Sequence, residues 1–212
     1  MPKISIPKEA LSAMPLVGFH GEITVIDNTD NALSALSRLS KESIVGFDTE
    51  TRPNFQKGRM HNVALVQIST LDTCYLFRIN KTGFLPEFKA FIENEAIAKV
   101  GLSLKDDFMM LHKISEFTPA GFIDLQTYVK KFGIIDCSLQ KIYGILFGQR
   151  ISKGQRLSNW EAAELSESQR HYAAIDAWAC LRIHRALDQG TFCPESSPYI
   201  VTEESNPEAA TL

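Results

Sequence analysis

The first part of the chain is a succession of short apolar runs separated by polar residues, glycine and proline. Residues Asp30–Leu39 carry leucines at helical spacing after the possible cap Asn28, which predicts one helix. Around this helix, runs rich in β-branched and aromatic residues predict strands at Ile23–Ile26, Ile44–Thr49, Val63–Ser69 and Cys74–Phe77. Because the last three strands follow one another through short connections, we expect an antiparallel meander.

From Phe84 onward the pattern changes to an alternation of helical and strand periods. It predicts helices and strands in turn, at Leu85–Glu93, Ala98–Leu102, Leu104–Ile114 and Gly121–Ile123, followed by helices. Strands that first pair through short turns and then alternate with helices are typical of an α/β fold. We therefore expect a mixed central sheet, an antiparallel meander plus parallel strands, flanked by helices.

The chain is expected to form one domain with an extension at each end. Its 212 residues, 44% of them hydrophobic, suffice for a single core. Residues 1–21 contain three prolines and no clear period, which predicts an N-terminal arm that packs late or frays. Residues 22–189 form the predicted domain. Residues 190–212 carry four glutamates and no Lys or Arg, which predicts an acidic tail without a large role in the core.

Composition and charge narrow the class of protein. The formal net charge of −3 argues against a domain that grips nucleic acid through overall positive charge, so any contact with phosphates must be local. The four cysteines form no Cys-x-x-Cys pair, which disfavours a zinc site and a disulfide framework and fits a reducing compartment. Neither a signal peptide nor a membrane-spanning run is visible. We therefore expect a soluble, intracellular protein of the cytoplasm.

Two acids stand at the end of a predicted strand, in the segment VGFDTE. Because side chains in a strand alternate between faces, Asp48 and Glu50 point to the same side, near the strand end where α/β sheets place ligands. Two adjacent carboxylates repel each other unless a cation joins them. A strand that simply ends in a polar turn is the alternative explanation.

Helical periodicity selects a third acid in the segment LKDDFMML. Leu104, Phe108 and Leu111 define the inward face. Asp107 lies on that face, whereas Asp106 is rotated by about 100°. A carboxylate on an apolar face is costly to desolvate, so Asp107 needs a metal, a cation or several hydrogen-bond donors. A cap or an ordinary salt bridge is the alternative for Asp107, and Asp106 fits a first-turn acid that the helix dipole favours.

A tyrosine and a fourth acid lie on one face of a predicted C-terminal helix. Ser166 and Gln169 have the spacing of a capping box, which starts this helix before Tyr172. Tyr172 and Asp176 are four residues apart and differ by only about 40° in projection, so both face inward. For the tyrosine alone, a packing role with its hydroxyl in solvent is the alternative.

Together, the four acids could surround two divalent cations about 3.5–4 Å apart, an arrangement suited to phosphoryl transfer. A ligand set made only of oxygen favours Mg²⁺ or Mn²⁺ over zinc. Such ions would activate a water for attack on the terminal phosphorus and stabilise the leaving 3′-oxygen. Because the phenol of tyrosine has an ordinary pKa of about 10, Tyr172 is assigned to orienting a water or a phosphate oxygen rather than to accepting a proton.

These elements, in this order, resemble the DEDD family of 3′→5′ exonucleases in its tyrosine-bearing subclass. The resemblance covers residues 23–187 and rests on the segments VGFDTE, VALVQIST, CYLF, VGLSLKDD and LSNWEAAELSESQRHYAAIDAWA. Within the subclass, the chain is more similar to the exonuclease domains of Werner-syndrome helicases than to ribonuclease D. The resemblance implies a ribonuclease-H-like core, release of nucleoside 5′-monophosphates, metal ligands at Asp48, Glu50, Asp107 and Asp176, and an active-site tyrosine at Tyr172.

One ambiguity concerns the histidine beside that tyrosine. The pattern His171-x-Ala173-x-x-Asp176 also fits the histidine-bearing subclass of the same family, in which the histidine belongs near the start of the helix. Here the capping box places His171 inside a regular helix, about 140° from Asp176 in projection. We therefore favour Tyr172 and expect His171 at the surface.

Two groups of cations could contact the phosphates of a substrate. They are Arg150, Lys153 and Arg156, which precede Trp160, and Arg52, Lys57 and Arg59, which follow Glu50. A solvated loop is the alternative for both groups. Trp160 is expected to pack rather than to stack on a base. Phe55 is a candidate wedge against the terminal base.

The sequence favours an exonuclease that acts on DNA, single-stranded or with a recessed 3′ end. An RNA-trimming enzyme similar to ribonuclease D is the runner-up, because recognition of the 2′-hydroxyl depends on groove details that a sequence does not show. The presence of all four acids and the tyrosine disfavours a catalytically silent nucleic-acid-binding module. A phosphatase acting on small molecules is a third class, which would cleave a phosphomonoester and leave oligonucleotides intact.

Overall fold

The computed structural model describes residues 1–54 and 61–202. Its strands are β1 (Glu22–Ile26), β2 (Ile44–Thr51), β3 (Val63–Ser69), β4 (Thr73–Phe77), β5 (Ala98–Gly101) and β6 (Phe122–Asp124). Its α-helices are α1 (Lys8–Ser12), α2 (Thr29–Leu39), α3 (Ile79–Thr82), α4 (Pro86–Ile92), α5 (Leu104–Leu111), α6 (Leu125–Tyr128), α7 (Leu139–Phe147) and α8 (Glu167–Asp188). Short 3-10 helices are formed by Val129–Phe132 and Pro194–Ser196.

The six strands form one mixed sheet in the order β1-β4-β3-β2-β5-β6. β2, β3 and β4 pair antiparallel, which confirms the predicted meander. β1 pairs parallel with β4, β5 with β2, and β6 with β5. β3 is buried along its whole length, as expected for a central strand that is covered on both faces. The predicted mixed sheet flanked by helices is therefore confirmed.

Different helices cover the two faces of the sheet. The 22-residue helix α8 packs across β2, β3, β4 and β5, and together with α7 and the N-terminal segment it defines the α8 face. Helices α2, α4 and α5 pack on the opposite side, which we call the α4 face. Because strand side chains alternate between the faces, each strand contributes to two separate cores.

The N-terminal segment packs into the core of the α8 face, which differs from the expected fraying arm. Ile4 and Ile6 are fully buried, and Ile4 forms β-bridges with both Ile134 and Ile200. Through the bridge between Ile4 and Ile200, the described part of the predicted tail, residues 190–202, contacts the N-terminal segment. Apolar burial, these bridges and the short helix α1 order a segment in which the sequence showed no clear period. The division into arm, domain and tail stays a prediction.

Most predicted boundaries lie within two residues of the observed ones, but the helix expected to reach Ile114 ends at Leu111. The buried ring of Phe117 stacks on His112, with the ring centroids 4.3 Å apart, so the chain reverses directly after the helix.

The sequence disfavoured a disulfide framework and a membrane-spanning segment, and the cysteines and helices of the structure bear on these two points. All four cysteines are free; Cys74 and Cys180 are buried, and Cys137 and Cys193 are exposed. Within the two described ranges, every helix is too short or too polar to cross a membrane.

Candidate active site

A close approach between β2 and α8 brings three of the predicted acids together. Gly46 faces α8, and a Cβ atom at this position would lie 1.9 Å from the carbonyl oxygen of Ala177, so only glycine allows the contact. Asp48 and Glu50 follow on the same face of β2, and Asp176 precedes Ala177 on the helix. Ligand oxygens of Asp48, Glu50 and Asp176 lie within 4.8 Å of one another.

The start of α8 has the predicted capping box. The hydroxyl of Ser166 accepts from the backbone N–H of Gln169 at 3.2 Å, and the Gln169 side chain accepts from the backbone N–H of Ser166 at 3.0 Å. Tyr172 and Asp176 are both buried, whereas the side chain of His171 is 49% exposed. The helix therefore directs the tyrosine, and not the histidine, towards the acids.

A buried arginine that the sequence analysis did not single out supports the approach to α8. Arg78 follows β4, and its guanidinium donates to the carbonyl oxygen of Ala163 at 2.7 Å and to that of Ala162. The Gln169 side chain also donates to the carbonyl oxygen of Asn159, at 3.2 Å. The segment before α8 is therefore held by two side chains, that of Arg78 after β4 and that of Gln169 on the helix itself. An arginine after an apolar strand gives no sequence signal for these partners.

Helix α5 brings the fourth acid to the same end of β2. Thr49 lies between Asp48 and Glu50 on β2. Its hydroxyl donates a short hydrogen bond to Oδ1 of Asp107, which links α5 to this strand. Asp106 is exposed and accepts a hydrogen bond from Ser103 at 3.0 Å. Helical periodicity therefore identified which of the two neighbouring acids faces β2.

Asp124 fixes the start of α5 and was not predicted to have a role. Its carboxylate accepts from the backbone N–H groups of Ser103, Leu104 and Gln126, at 3.2, 3.0 and 2.8 Å. Ser103 has a φ of 62°, in the left-handed region that is costly for a residue other than glycine. The hydrogen bonds to Asp124 hold this conformation. The sequence showed Asp124 only as a polar residue after a short strand.

Burial raises the pKa of every acid in the cluster. Desolvation, followed by repulsion from the neighbouring carboxylates, raises the pKa of Asp48 and raises that of Glu50 to about 9. Desolvation also raises the pKa of Asp107 and of Asp176 to about 7, although a neighbouring hydroxyl hydrogen-bonds to each and opposes the rise. Four carboxylates can be ionised together here only if positive charge joins them. The oxygen donors of the four acids, and the separation of at most 4.8 Å among Asp48, Glu50 and Asp176, fit divalent cations.

Tyr172 is placed to act as a hydrogen-bond donor. Burial and the nearby carboxylates raise the pKa of its hydroxyl above the ordinary value, so it stays protonated at neutral pH. The hydroxyl lies within hydrogen-bonding reach of Asp176. Trp160 is fully buried, and its ring centroid is 6.1 Å from that of Tyr172. It therefore packs behind the tyrosine, in line with the packing role expected from its sequence context.

The fold separates Arg150 from Lys153 and Arg156, the other two cations of the first predicted phosphate-binding group. Arg156 and Lys153 are exposed, and the positive charge of Arg156 opposes the rise in the pKa of Glu50. Arg156 therefore lies close enough to act on the acid cluster. Arg150 donates through Nε to the carbonyl oxygen of Met14 at 3.0 Å, which directs it towards the N-terminal segment.

The second group lies beside an ion-pair network that the sequence did not reveal. Nη1 of Arg52 is 3.2 Å from Oε2 of Glu161, and the other oxygen of Glu161 is 3.0 Å from Nδ1 of His61. The guanidinium of Arg52 therefore already has an acidic partner. Three further candidates lie outside the described residues: Phe55, Lys57 and Arg59.

Comparison with known proteins gives a family match over most of the chain. A family model described as 3′-5′ exonuclease matches residues 23–190. The bifunctional 3′-5′ exonuclease/ATP-dependent helicase WRN of Mus musculus is 32% identical over 158 residues, which are 71% of this chain and 11% of that protein. The chain spans 11% of the length of this relative, 26% of the exonuclease mut-7 homolog of Aedes aegypti and 52% of a 3′-5′ exonuclease of Arabidopsis thaliana.

Solved structures show the same fold. Escherichia coli RNase D, described as an exoribonuclease involved in structured RNA processing, has a TM-score of 0.72 and 20% identity, covering 80% of this chain and 45% of that chain. The Aedes aegypti Nibbler EXO domain has a TM-score of 0.69 and 23% identity, covering 82% and 92%. These similarities confirm the ribonuclease-H-like fold. With the family model covering most of the chain and an acid cluster suited to divalent metals, the chain belongs to the DEDD family of 3′-5′ exonucleases, enzymes that act on nucleic acid.

Proposed function

We propose that the chain is a two-metal-ion 3′→5′ exonuclease that hydrolyses terminal phosphodiester bonds of DNA and releases nucleoside 5′-monophosphates. The observation that carries the proposal is the convergence of Asp48, Glu50 and Asp176, whose ligand oxygens lie within 4.8 Å of one another. Buried acids at this separation need bound cations to be ionised together. The catalytic domain is proposed to comprise residues 22–189.

Four carboxylates are proposed to hold the two ions, from Asp48, Glu50, Asp107 and Asp176. Because every donor is an oxygen atom, Mg²⁺ or Mn²⁺ is favoured over zinc. When held by these carboxylates, the ions would lower the pKa of an attacking water and would stabilise the charge on a leaving 3′-oxygen. The hydrogen bond from Thr49, which lies between Asp48 and Glu50 on β2, holds the carboxylate of Asp107 at this end of the strand.

Tyr172 is proposed to orient a water or a phosphate oxygen by donating a hydrogen bond. Burial raises the pKa of its hydroxyl, which favours a donor over a proton acceptor at neutral pH. The proposal therefore includes membership of the tyrosine-bearing subclass. It is supported by the exposed position of His171, whose ring lies 3.8 Å from Glu167 on the outer side of α8.

The substrate backbone is proposed to be held by cations at the edge of the acid cluster. Arg156 is the leading candidate, because its charge already acts on Glu50. Lys153 is exposed in the same segment. Further candidates from the two predicted groups are Arg52, Lys57 and Arg150. Contacts of this kind would make affinity fall with salt concentration.

The second candidate function is a 3′→5′ exoribonuclease. It is favoured by the similarity in fold to Escherichia coli RNase D. DNA is placed first here because the murine helicase-linked exonuclease is 32% identical, and curated ribonuclease D relatives, at 26–30% identity, keep RNA as the alternative. A preference for RNA over DNA would require a donor or acceptor for the 2′-hydroxyl.

A labelled-substrate assay tests the proposal. Single- and double-stranded DNA and RNA, each labelled at the 5′ end, would be incubated with the protein and Mg²⁺, Mn²⁺ or EDTA. We expect a ladder that shortens from the 3′ end only when metal is present, faster on DNA than on RNA. Faster shortening of RNA would favour the exoribonuclease. Cleavage that resists EDTA, or hydrolysis of a phosphomonoester with oligonucleotides left intact, would contradict the proposed mechanism.

A further inference from the structure

Gln67 is a buried polar residue at the centre of the sheet. Its side chain is 0% exposed, and neither its Nε2 nor its Oε1 atom has a hydrogen-bond partner among the described residues. Most buried polar side chains in proteins are paired, because an unpaired donor or acceptor loses its contact with water without replacement. An amide at this position is therefore unfavourable for the fold by itself.

The register of the sheet places Gln67 beside the acid cluster. In the antiparallel pair of β2 and β3, the Cα partner of Gln67 is Asp48. Residues directly opposite each other in such a pair have Cβ atoms about 4.5–5.5 Å apart and project to the same face. That face is the α8 face, because Gly46, two residues before Asp48, is in contact with α8. Gln67 and Asp48 are thus neighbours beneath the site.

Without a cation, the fold gives Gln67 no charged partner. The residue opposite Gln67 is Asp48, and a carboxylate oxygen of Asp48 lies within 4.8 Å of ligand oxygens of Glu50 and Asp176. The surroundings of the amide on this side are therefore acidic groups, which offer acceptors to its Nε2 group once a cation holds the carboxylates together. Because both ends of the amide are unpaired, nothing in the free protein selects which end faces Asp48.

We propose that Gln67 is a positioning residue, whose Nε2 group donates a hydrogen bond to the ionised Asp48 carboxylate when a divalent cation is bound at the acid cluster. This bond would hold the carboxylate in the orientation that presents its other oxygen to the cation. Residues behind a metal ligand commonly set its orientation and the affinity for metal. The inference rests on the proposed function, since it requires a cation at Asp48.

Calorimetric titration with MnCl₂ alone, together with thermal unfolding in EDTA, tests the proposal on the full chain. Gln67→Met removes the amide and keeps the length of the side chain, and Gln67→Leu is a second apolar variant. Ser69→Ala is the matched control, because Ser69 is also fully buried, on the same strand and face, and is the Cα partner of Gly46 rather than of an acid.

We expect Gln67→Met to weaken Mn²⁺ binding by about 10- to 100-fold, while Ser69→Ala stays within about twofold of the parent protein. In EDTA, the melting temperature of Gln67→Met should equal that of the parent or exceed it by about 2–8 °C, because two unpaired buried atoms are removed. If Gln67 served only in packing, its replacement would not weaken Mn²⁺ binding while leaving the melting temperature in EDTA unchanged or raised.

Two results would overturn the inference. One is Mn²⁺ affinity unchanged in both apolar variants; the other is a lower melting temperature in EDTA for both, which would show that the amide already has a partner in the free protein. If the parent protein binds Mn²⁺ and shortens oligonucleotides in either case, the proposed function survives. If the parent does neither, the proposed function and the inference fail together.

Discussion

Buried charge is treated in opposite ways on the two faces of the sheet. On the α4 face, Lys99 is 0% exposed, and its Nζ donates to the carbonyl oxygens of Phe91 and Asn94 at 3.2 and 2.6 Å. The same atom lies 5.5 Å from the ring centroid of Phe91 and 5.1 Å from that of Phe122. Burial lowers the pKa of Lys99 to about 8. The fold itself thus supplies this cation with several partners.

On the α8 face, at the end of β2 that α5 approaches from the other side, the fold supplies mainly more negative charge. Asp48 is near three other acids, Glu50, Asp107 and Asp176. Of these, Asp107 and Asp176 also raise the pKa of Glu50, which the charge of Arg156 lowers. Hydroxyl groups of Thr49 and Tyr172 offer hydrogen bonds, but neither carries a positive charge. A buried charge with partners contributes to structure, whereas a cluster of like charges needs a ligand. This difference, rather than burial alone, distinguishes the candidate active site from the rest of the core.

The largest expected effect comes from removing one carboxylate from the cluster. Asp107→Asn should lower nuclease activity at least about a thousandfold, since loss of one neutral hydrogen-bond donor in an active site already costs up to that factor. The amide oxygen can still accept from Thr49, so the fold should be kept. Asp106→Asn is the matched control, because this neighbouring acid is exposed. Equal activity of both variants, measured with labelled oligonucleotides, would remove Asp107 from the site.

The next effect is a dependence of stability on pH in the metal-free protein. Free carboxyl groups titrate near pH 4, but the pKa of Asp107 and of Asp176 is about 7 in the folded chain. Between these values the folded chain binds more protons than the unfolded chain, so the free energy of unfolding decreases as pH rises from about 4 to 7. Glu50 extends the decrease to about 9.

Divalent metal should reverse this trend, because a cation binds the ionised carboxylates of the folded state. Thermal unfolding in EDTA and in Mn²⁺ across this pH range measures the effect. Asp107→Asn should flatten the metal-free decrease, since one of the titrating groups is gone. A metal-free protein whose stability rises over the same range would show that the acids are already compensated by positive charge.

Side-chain direction within single elements could be predicted from the sequence. Helical periodicity separated Asp107 from Asp106 and Tyr172 from His171, because the angle per residue is fixed by the backbone. Strand alternation likewise placed the two acids of β2 on one face. These conclusions need no knowledge of what the element packs against, since they depend only on its internal geometry.

Contacts between distant segments could not be predicted. Arg78 reaches carbonyl oxygens 84 and 85 residues later in the chain, and Glu161 pairs with Arg52 across 109 residues. The burial of Ile4 depends on bridges to Ile134 and Ile200. Such partners are determined by the packing of whole elements, so no local sequence pattern predicts them.

The compensated charge on the α4 face gives a smaller effect, and one on stability alone. Lys99→Met leaves the carbonyl oxygens of Phe91 and Asn94 without their donor, which should lower the free energy of unfolding by about 1–3 kcal/mol. Denaturant unfolding measures the change, with turnover of DNA expected to stay near the parent value. A more stable variant would mean that the desolvation cost of the ammonium exceeds the benefit of its partners, and the contrast between the faces would weaken.

The smallest effect concerns the two neighbouring residues on α8 that define the subclass. Tyr172→Phe removes one hydroxyl and keeps the ring against Trp160, so we expect turnover to fall about tenfold, the value of a single hydrogen bond of about 1.4 kcal/mol. His171→Ala, at an exposed position, should stay within about twofold, as most surface substitutions do. Single-turnover rates on 5′-labelled DNA at saturating Mn²⁺ compare the two. If the histidine variant loses activity and the tyrosine variant keeps it, α8 presents a different residue to the substrate than its buried face indicates, and the chain belongs to the histidine-bearing subclass.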